Sequence, residues 1–223
     1  MNAIKYLLSI ETKGIKLGFQ RTEQMLMACG NPHLNLPAIQ VSGTNGKGSS
    51  VEYLSELLRN SGKKVGTYTS PHIFNFNERI RINGEESPDS RIIKSFEFVE
   101  EARDSVQMTY FEFSTLAAIH LLSESNLDIV ILEVGLGGRL DAVNVVEPDI
   151  SILTNVQLDH QDWLGNNLEM IAKEKSAIFR KGKPAIIGER NSPISVTKEI
   201  ERLEARPYKL GKDFDLDIDT IKK

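Results

Sequence analysis

The chain has very little cysteine, with Cys29 as the single thiol among 223 residues. One thiol excludes an intrachain disulfide framework and is compatible with a reducing cytosol, where a packed free cysteine is the ordinary form. The sequence contains no uninterrupted run of about 18 apolar residues, the length that a transmembrane helix needs. Its first residues also lack the pattern of a secretory signal. We therefore expect a cytoplasmic protein that does not cross a membrane.

The chain also lacks an excess of basic residues. Lysine and arginine total 27 against 31 aspartate and glutamate, a formal net charge of -4. Nucleic-acid-binding proteins are usually basic, so this balance gives no reason to expect a nucleic-acid partner. Cysteine and histidine are too few and too scattered for a cluster of the zinc-binding kind. Any anionic substrate must therefore be held by local groups.

The most informative segment that is present is the glycine-rich turn VSGTNGKGSS over residues 41–50. It lies between the strand-like run Ala38–Val41 and the helix-like stretch Ser50–Asn60. Glycines at such a point let backbone N–H groups curl around phosphate oxygens, with a lysine to meet the β and γ phosphates. The spacing departs from the strict Walker pattern, so a plain strand-to-helix turn is the alternative. The predicted nucleotide-phosphate-binding turn comprises Gly43, Thr44, Asn45, Gly46, Lys47, Gly48 and Ser49.

Strand-like and helix-like segments alternate along most of the chain, which predicts an α/β fold with a mostly parallel sheet flanked by helices. The turn Asn83–Gly84 is expected after one strand. The predicted strands are Ala38–Val41, Lys64–Thr69, Glu78–Ile82, Asp128–Val134, Asp149–Thr154 and Pro184–Ile187. The predicted helices are Ala3–Glu11, Thr22–Ala28, Ser50–Asn60, Asp89–Val106, Phe113–Ser125 and Asn167–Phe179.

Four polar side chains follow or end these strands, at the sheet edge where α/β proteins bind ligands. They are Ser49, Ser70, Glu133 and His160. Carboxylate and hydroxyl oxygens, completed by water and phosphate, are hard ligands suited to magnesium, and one imidazole can join them. For each residue there is a plainer alternative, since a strand-end glutamate can cap a helix and a loop histidine can simply be solvated. Their convergence on one edge favours a metal site.

Two further segments carry charged groups. The glycine-rich loop that follows Glu133 can bring Arg139 and Asp141 over a ligand, or can simply form a sharp turn. Lys175 stands next to Glu174 in a helical stretch, and the residues alone favour a surface ion pair of little energetic value.

The motifs GTNGKGS, TSPH, TYFEFSTLAA, EVGLGGRLDAVN and LDHQDWLG occur in this order between Gly43 and Gly165. Together they resemble the dihydrofolate synthase and folylpolyglutamate synthase enzymes of the Mur ligase superfamily, and the resemblance extends from Lys5 to about Phe214. It implies a P-loop, Mur-ligase-type ATP-binding domain. It also implies an ATP-dependent amide ligase that joins L-glutamate to dihydropteroate or to reduced folates through an acyl phosphate.

The resemblance assigns roles residue by residue. It implies magnesium ligands at Ser70, Glu133 and His160, and it makes Lys47, Lys175 and His160 the candidate catalytic residues, with Lys175 carbamylated. This implication replaces the surface ion pair suggested for Lys175. The implied pteroate contacts are Thr109, Tyr110, Phe111, Glu112, Leu140, Asp141 and Ala142, with a weaker match over residues 9–12.

Members of this family are roughly twice as long. The resemblance therefore implies that residues 1–223 form an incomplete N-terminal ATP- and pteroate-binding domain, without the C-terminal domain that binds glutamate. We expect this chain alone not to add glutamate, unless a C-terminal partner chain completes it. A noncatalytic nucleotide- or pterin-binding remnant is one alternative. Another P-loop enzyme, such as a cell-wall Mur ligase, is a second, against which TYFEF and LDHQDWLG argue.

Overall fold

The fold is that of a computed structural model, which describes Lys5, Leu8, Ser9 and residues 18–30, 36–104 and 106–215. Of the predicted helix Ala3–Glu11, the three described residues are helical. The rest of that helix, and residues 10–12 of the weak pteroate match, lie outside the described residues. No helix in the described part of the chain has both the length and the apolar character needed to cross a membrane.

Eight strands of the described residues form one sheet, and helices cover both of its faces. The strands are β1 Ala38–Ser42, β2 Val65–Tyr68, β3 Ile80–Ile82, β4 Glu85–Glu86, β5 Ile129–Glu133, β6 Ile150–Leu153, β7 Pro184–Ile187 and β8 Arg206–Lys209. The helices are α1 Phe19–Ala28, α2 Lys47–Asn60, α3 Asp89–Arg103, α4 Tyr110–Ser123, α5 Gln161–Leu164, α6 Leu168–Ser176 and α7 Ile194–Leu203. Two 3-10 helices, Phe76–Arg79 and Ala142–Val145, complete the set.

The strand order is β4-β3-β2-β5-β1-β6-β7-β8. Six strands, from β2 to β8 along this order, are parallel, and β3 and β4 extend the sheet antiparallel. The α/β class with a mostly parallel sheet is thus confirmed. The turn at Asn83–Gly84 is also confirmed, because both residues have positive φ angles, 54° and 82°, and they connect β3 to β4.

The central strand β1 is buried on both faces, as a parallel strand between helical layers must be. Ile39 and Val41 pack with Val51 of α2 in a smaller cluster on one side. Ala38 belongs to the larger cluster on the other side, which includes Phe96 of α3 and residues of α4, α6 and α7. This sandwich holds the carboxyl ends of β1, β2, β5 and β6 at one edge.

Several boundaries differ from the sequence prediction. Helix α2 begins at Lys47 rather than Ser50, and α4 begins at Tyr110 rather than Phe113, because Thr109 caps it. Helix α6 is shorter than predicted and is capped by the side chain of Asn167. Helices α5 and α7 and strands β4 and β8 were missed. Strand β4 has two residues and α5 and β8 have four each, which leaves little periodic signal, whereas the i, i+4 spacing of Val196 and Ile200 in α7 was readable.

Candidate active site

The glycine-rich turn forms a tight loop between β1 and α2. Gly46 has φ 80° and stands just before the helix, so that helix α2 starts at Lys47. Gly43 has φ 146°, and a Cβ atom placed on it would lie 1.8 Å from Oγ1 of Thr154. Both the backbone angle and the close approach require glycine at position 43. The loop therefore presents backbone N–H groups at a helix N-terminus, the arrangement that binds phosphate.

The segment after β6 holds this loop in place through three side chains and one backbone N–H group. The Thr154 hydroxyl donates to the Asn45 carbonyl at 2.7 Å, and the Asn45 N–H donates to Oδ1 of Asn155 at 3.1 Å. The Gln157 N–H donates to Oγ1 of Thr44 at 2.9 Å, and Nδ2 of Asn45 donates to Oε1 of Gln157 at 2.9 Å. Sequence reasoning missed these residues. The signal was available, since Thr154, Asn155 and Gln157 follow the strand β6 at the same sheet edge.

Two lysines contact the carbonyl groups of the loop. The Lys47 ammonium donates to the carbonyls of Gly43 and Thr44 at 3.1 and 3.2 Å. The Lys175 amine, on α6, donates to the Gly43 carbonyl at 2.9 Å. Lys175 is 3% exposed. The residue-only interpretation of Lys175 as a surface ion pair is therefore wrong.

The neighbour of Lys175 has a different partner. The Glu174 carboxylate pairs with the Arg139 guanidinium at 2.9 Å, and the Glu174 carbonyl accepts the Arg139 N–H at 3.0 Å. A Cβ atom on Gly138 would lie 2.6 Å from that carbonyl. These contacts dock the glycine-rich loop after β5 onto the C-terminal turn of α6. They turn Glu174 away from Lys175, which a sequence pattern cannot show.

The environment of Lys175 lowers the pKa of its amine and so increases the neutral fraction. Burial is the main cause, and the positive charge of Lys47 adds to it, so that the pKa of Lys175 falls from 10.5 to about 8. The carboxylates of Asp159 and Asp141 act in the opposite direction. An amine with such a pKa is a better nucleophile near neutral pH than an exposed lysine.

Glu133 ends strand β5 and is 5% exposed. Burial raises the pKa of its carboxyl group, an effect opposed by the hydrogen bond from Ser70 and by the charges of Lys47 and Arg79. The Ser70 N–H donates to Oε2 of Glu133 at 3.1 Å. A Cβ atom on Gly48 would lie 3.6 Å from the same oxygen. The structure thus brings together the start of α2, Ser70 and Glu133.

His160 lies on the segment between β6 and α5 with φ 49°, and its side chain is 54% exposed. Its Nε2 lies 3.5 Å from Oδ2 of Asp159. Among the described residues, no hydrogen bond or ion pair joins His160 to Ser70 or Glu133, and no group of three or more His, Cys, Asp or Glu side chains could hold a metal. The predicted set of Ser70, Glu133 and His160 stays a prediction.

The donors that do meet fit magnesium. Glu133 supplies a buried, anionic oxygen, and the Ser70 hydroxyl belongs to the residue whose N–H already contacts that carboxylate. Both are hard oxygen donors, and Mg²⁺ bound beside phosphates commonly has only one or two protein carboxylates and completes its shell with water and phosphate oxygens. A metal here would therefore depend on the nucleotide for part of its coordination.

The loop after β5 is organised by Asp141. This carboxylate is 2% exposed and accepts the N–H groups of Leu136 at 2.8 Å and Val143 at 2.9 Å. Burial raises its pKa from 3.8 to about 6, although these hydrogen bonds lower it. Asp141 also caps the 3-10 helix Ala142–Val145. Leu140, Asp141 and Ala142, the predicted pteroate contacts, thus belong to one rigid turn.

The second predicted pteroate segment, Thr109–Glu112, forms the N-terminus of α4. Thr109 and Glu112 make a reciprocal capping box, and Glu112 also forms an ion pair of 2.5 Å with Arg21 of α1. The Phe111 ring lies against Gly135, where a Cβ atom would be 2.4 Å from the ring. Phe111 of this segment therefore packs against the glycine-rich loop that continues from Glu133 towards residues 140–142.

Comparison with known proteins identifies this arrangement. Residues 41–214 match the model of the Mur ligase middle domain. The chain belongs to the Mur ligase middle-domain family. The family match covers the phosphate loop, Ser70, Glu133, His160, Lys175 and both pteroate segments. Only the weaker pteroate match over residues 9–12 lies outside it.

Relatives of this Mur ligase domain include the Escherichia coli dihydrofolate synthase/folylpolyglutamate synthase, 40% identical over 96% of this chain and 51% of the relative. The Haemophilus influenzae protein of the same name is 43% identical over 95% of this chain and 48% of the relative. The chain spans about half the length of the curated relatives that it matches.

Solved structures agree with the fold. The structure described as E. coli FolC in complex with DHPP and ADP has a TM-score of 0.93 and 39% identity, covering 98% of this chain and 53% of that one. A Yersinia pestis folylpolyglutamate synthase/dihydrofolate synthase complexed with AMPPNP and a manganese ion has a TM-score of 0.91 and 38% identity, covering 99% of this chain and 54% of that one.

Proposed function

We propose that this chain carries the nucleotide, magnesium and pteroate sites of an ATP-dependent amide ligase of folate biosynthesis. The ligase joins L-glutamate to dihydropteroate, or to a reduced folate, through an acyl phosphate. The observation that carries this proposal is the position of Glu133. Its buried carboxylate faces Gly48 of the phosphate loop, and Phe111, in the first segment that resembles pteroate contacts, packs against Gly135, two residues after Glu133.

The residues of the chain would divide the work as follows. The loop N–H groups and Lys47 would bind and orient the ATP phosphates, with Lys47 exchanging its loop carbonyl partners for phosphate oxygens. Glu133 and Ser70 would hold magnesium, and His160 is the proposed third ligand. Bound magnesium supplies positive charge that offsets the charge on the transferring phosphoryl group. Positioning and charge neutralisation are the main tasks in such a transfer.

Lys175 would act as a modified residue. Its lowered pKa makes the neutral amine available to react with CO₂, and the resulting carbamate would replace a cation by an anion next to Lys47. This change would hold Lys47 and the loop by charge attraction rather than by repulsion. The family resemblance motivates the modification, and the buried contact with Gly43 supports it.

The named complexes of related proteins support the choice of ligands. One relative was solved with DHPP and ADP, and another with manganese, AMPPNP and L-glutamate. We extend those ligand classes to this chain because its loop, Glu133 and pteroate segments occupy one sheet edge. The cytoplasm remains the expected location, with the free, buried thiol of Cys29 compatible with a reducing compartment.

Binding and turnover test the proposal. Calorimetry should show binding of an ATP analogue with magnesium and of dihydropteroate to this chain. Lys47→Ala should lose the nucleotide, whereas Lys63→Ala, at an exposed lysine after α2, should keep it. Failure of the unaltered chain to bind either ligand would refute the proposal.

ADP release is then measured with dihydropteroate, with tetrahydrofolate and with a cell-wall precursor, each with and without glutamate. Because the chain spans about half the length of its relatives, each assay is run with the chain alone and with the C-terminal half of the E. coli relative added. Release that needs dihydropteroate or tetrahydrofolate supports a folate ligase. Release with the cell-wall precursor alone would indicate a different Mur ligase, and ligand binding without release in either arm would indicate a binding remnant.

A further inference from the structure

Arg79 is a buried cation at the end of the 3-10 helix Phe76–Arg79, and it is 7% exposed. Its guanidinium carbon lies 5.6 Å from the centre of the Phe76 ring and 5.5 Å from the centre of the Tyr110 ring. Its Nε donates to Nδ1 of His72 at 2.8 Å. An imidazole nitrogen that accepts this bond carries no proton, so His72 is a neutral partner. These contacts fix the plane of the guanidinium without balancing its charge.

The described residues provide no carboxylate partner for Arg79 within ion-pair distance. The adjacent Glu78 carboxylate is occupied by the N–H groups of Ile73, Phe74 and Asn75, at 2.6 to 2.8 Å. Glu112, two residues after Tyr110, is paired with Arg21. The Glu133 carboxylate interacts electrostatically with Arg79 but forms no ion pair with it. A buried cation without a direct ion pair is costly, so an anion from outside the chain would stabilise it.

The terminal nitrogens of Arg79 are open to such an anion. They form no hydrogen bond with the described residues. In the described part of the chain, three side-chain atoms are buried and lack a hydrogen-bond partner, namely Oε1 of Gln40, Nε of Arg81 and Oγ of Ser87. The terminal nitrogens of Arg79 are not among these buried atoms. Partnerless nitrogens that are not buried must reach solvent-accessible space. The limited exposure of Arg79 therefore lies at the donor edge of its guanidinium.

The donor edge of the Arg79 guanidinium lies between the pteroate segment Thr109–Glu112 and the metal and phosphate residues of the candidate site. Tyr110, on which Arg79 stacks, belongs to the pteroate segment Thr109–Glu112. On the other side, Phe111, the residue after Tyr110, packs against Gly135, two residues beyond Glu133. The charge of Arg79 also lowers the pKa of Glu133. His72 is two residues from Ser70. An acyl substrate that reached from the pteroate segment towards the phosphate loop would pass this point.

We propose that Arg79 binds the carboxylate of the acyl substrate, the group that receives the phosphoryl group. The inference rests on the proposed function. A guanidinium edge matches a carboxylate in two parallel hydrogen bonds. In the reaction, a carboxylate oxygen forms a bond to the γ-phosphorus while the bond from that phosphorus to the bridging oxygen breaks, and ADP leaves with that electron pair. Arg79 would first orient the attacking oxygen and then offset charge on the acyl phosphate.

The test compares dihydropteroate with its carboxamide, which has the same rings and no charge. We expect the unaltered chain to bind the carboxylate about 10-fold to 100-fold more tightly, as for hydrogen bonds to charged groups. Arg79→Met should bring the two affinities to within about twofold, and Arg79→Lys should leave an intermediate preference. The control is Arg81→Met on β3, which loses the same charge but pairs with Glu52 and Glu86, and it should keep the preference.

The outcomes separate binding from support of the fold. If Arg79→Met weakens both ligands equally and keeps their ratio, Arg79 is only a structural residue and the inference is overturned. If thermal unfolding shows that Arg79→Met does not fold, Arg79→Lys decides, and an unchanged ratio in that variant overturns the inference. If the unaltered chain binds neither ligand, the proposed function fails as well. If the unaltered chain prefers the carboxylate and both Arg79 variants keep the same preference, this inference fails while the proposed function stands.

Discussion

The sharpest prediction concerns CO₂ uptake by Lys175. Its pKa of about 8 means that about a quarter of the amine is neutral at about pH 7.5, against about one part in a thousand for a lysine with the ordinary value of 10.5. Only the neutral amine attacks CO₂. Lys175 should therefore have roughly two orders of magnitude more reactive amine than an exposed lysine has.

The surroundings set the stability of the product. The carbamate is an anion, so the ammonium of Lys47 should stabilise it, whereas the carboxylates of Asp141 and Asp159 should oppose it. We therefore expect Lys47→Ala to reduce the modified fraction. At a fixed concentration of dissolved CO₂, the fraction should rise between about pH 6 and pH 8, because deprotonation of the amine precedes the reaction.

Isotopically labelled bicarbonate and carbon NMR measure the carbamate directly. We expect one carbamate signal in the unaltered chain, lost in Lys175→Arg and kept in Lys173→Arg, which changes an exposed lysine of the same helix. An absent signal, or one that survives in Lys175→Arg, would refute the reasoning. A fraction that does not rise over this pH range would contradict a reaction of the neutral amine.

Three other perturbations test the loop and the metal ligands. Lys47→Ala should weaken nucleotide binding by about tenfold or more, as measured by calorimetry. It should change the free energy of unfolding by at most about 0.5 kcal/mol, as measured by urea denaturation. Unchanged nucleotide affinity would contradict the role of Lys47. Glu133→Ala should abolish the magnesium dependence of nucleotide binding more completely than His160→Ala, because an anionic oxygen is the better ligand for a hard cation. If a magnesium titration shows the larger loss in His160→Ala, that result would count against the assignment. Gly43→Ala should destabilise the chain by about 1–3 kcal/mol, since its Cβ would overlap Thr154. Gly62→Ala, where φ is 85° but space is open, serves as its control, and equal melting temperatures for the two variants would argue against the overlap.

Local sequence determined the phosphate loop and the class of fold. The glycines around Lys47, set between an apolar strand and an amphipathic helix, act over a few neighbouring residues, so their pattern is readable without tertiary information. The same holds for the turn at Asn83–Gly84, whose residue types tolerate positive φ angles. Strand and helix alternation also favoured a parallel sheet, whose carboxyl edge collects Glu133 and Ser70. Each of these expectations came from residue patterns, and the order of the motifs along the chain indicated the family.

Tertiary structure decided what depends on contacts between distant segments. Lys175 and Glu174 are neighbours in sequence, yet Lys175 is buried against Gly43 while Glu174 pairs with Arg139. The strand order, the hydrogen bonds from the segment after β6 to the phosphate loop, and the lack of an ion pair for Arg79 among the described residues are likewise set by packing. Burial and pairing change the free energy of a charged group by amounts that its neighbours in sequence do not encode. A sequence can therefore name the charged residues of this site, but the fold determines which of them are buried and which of them are paired.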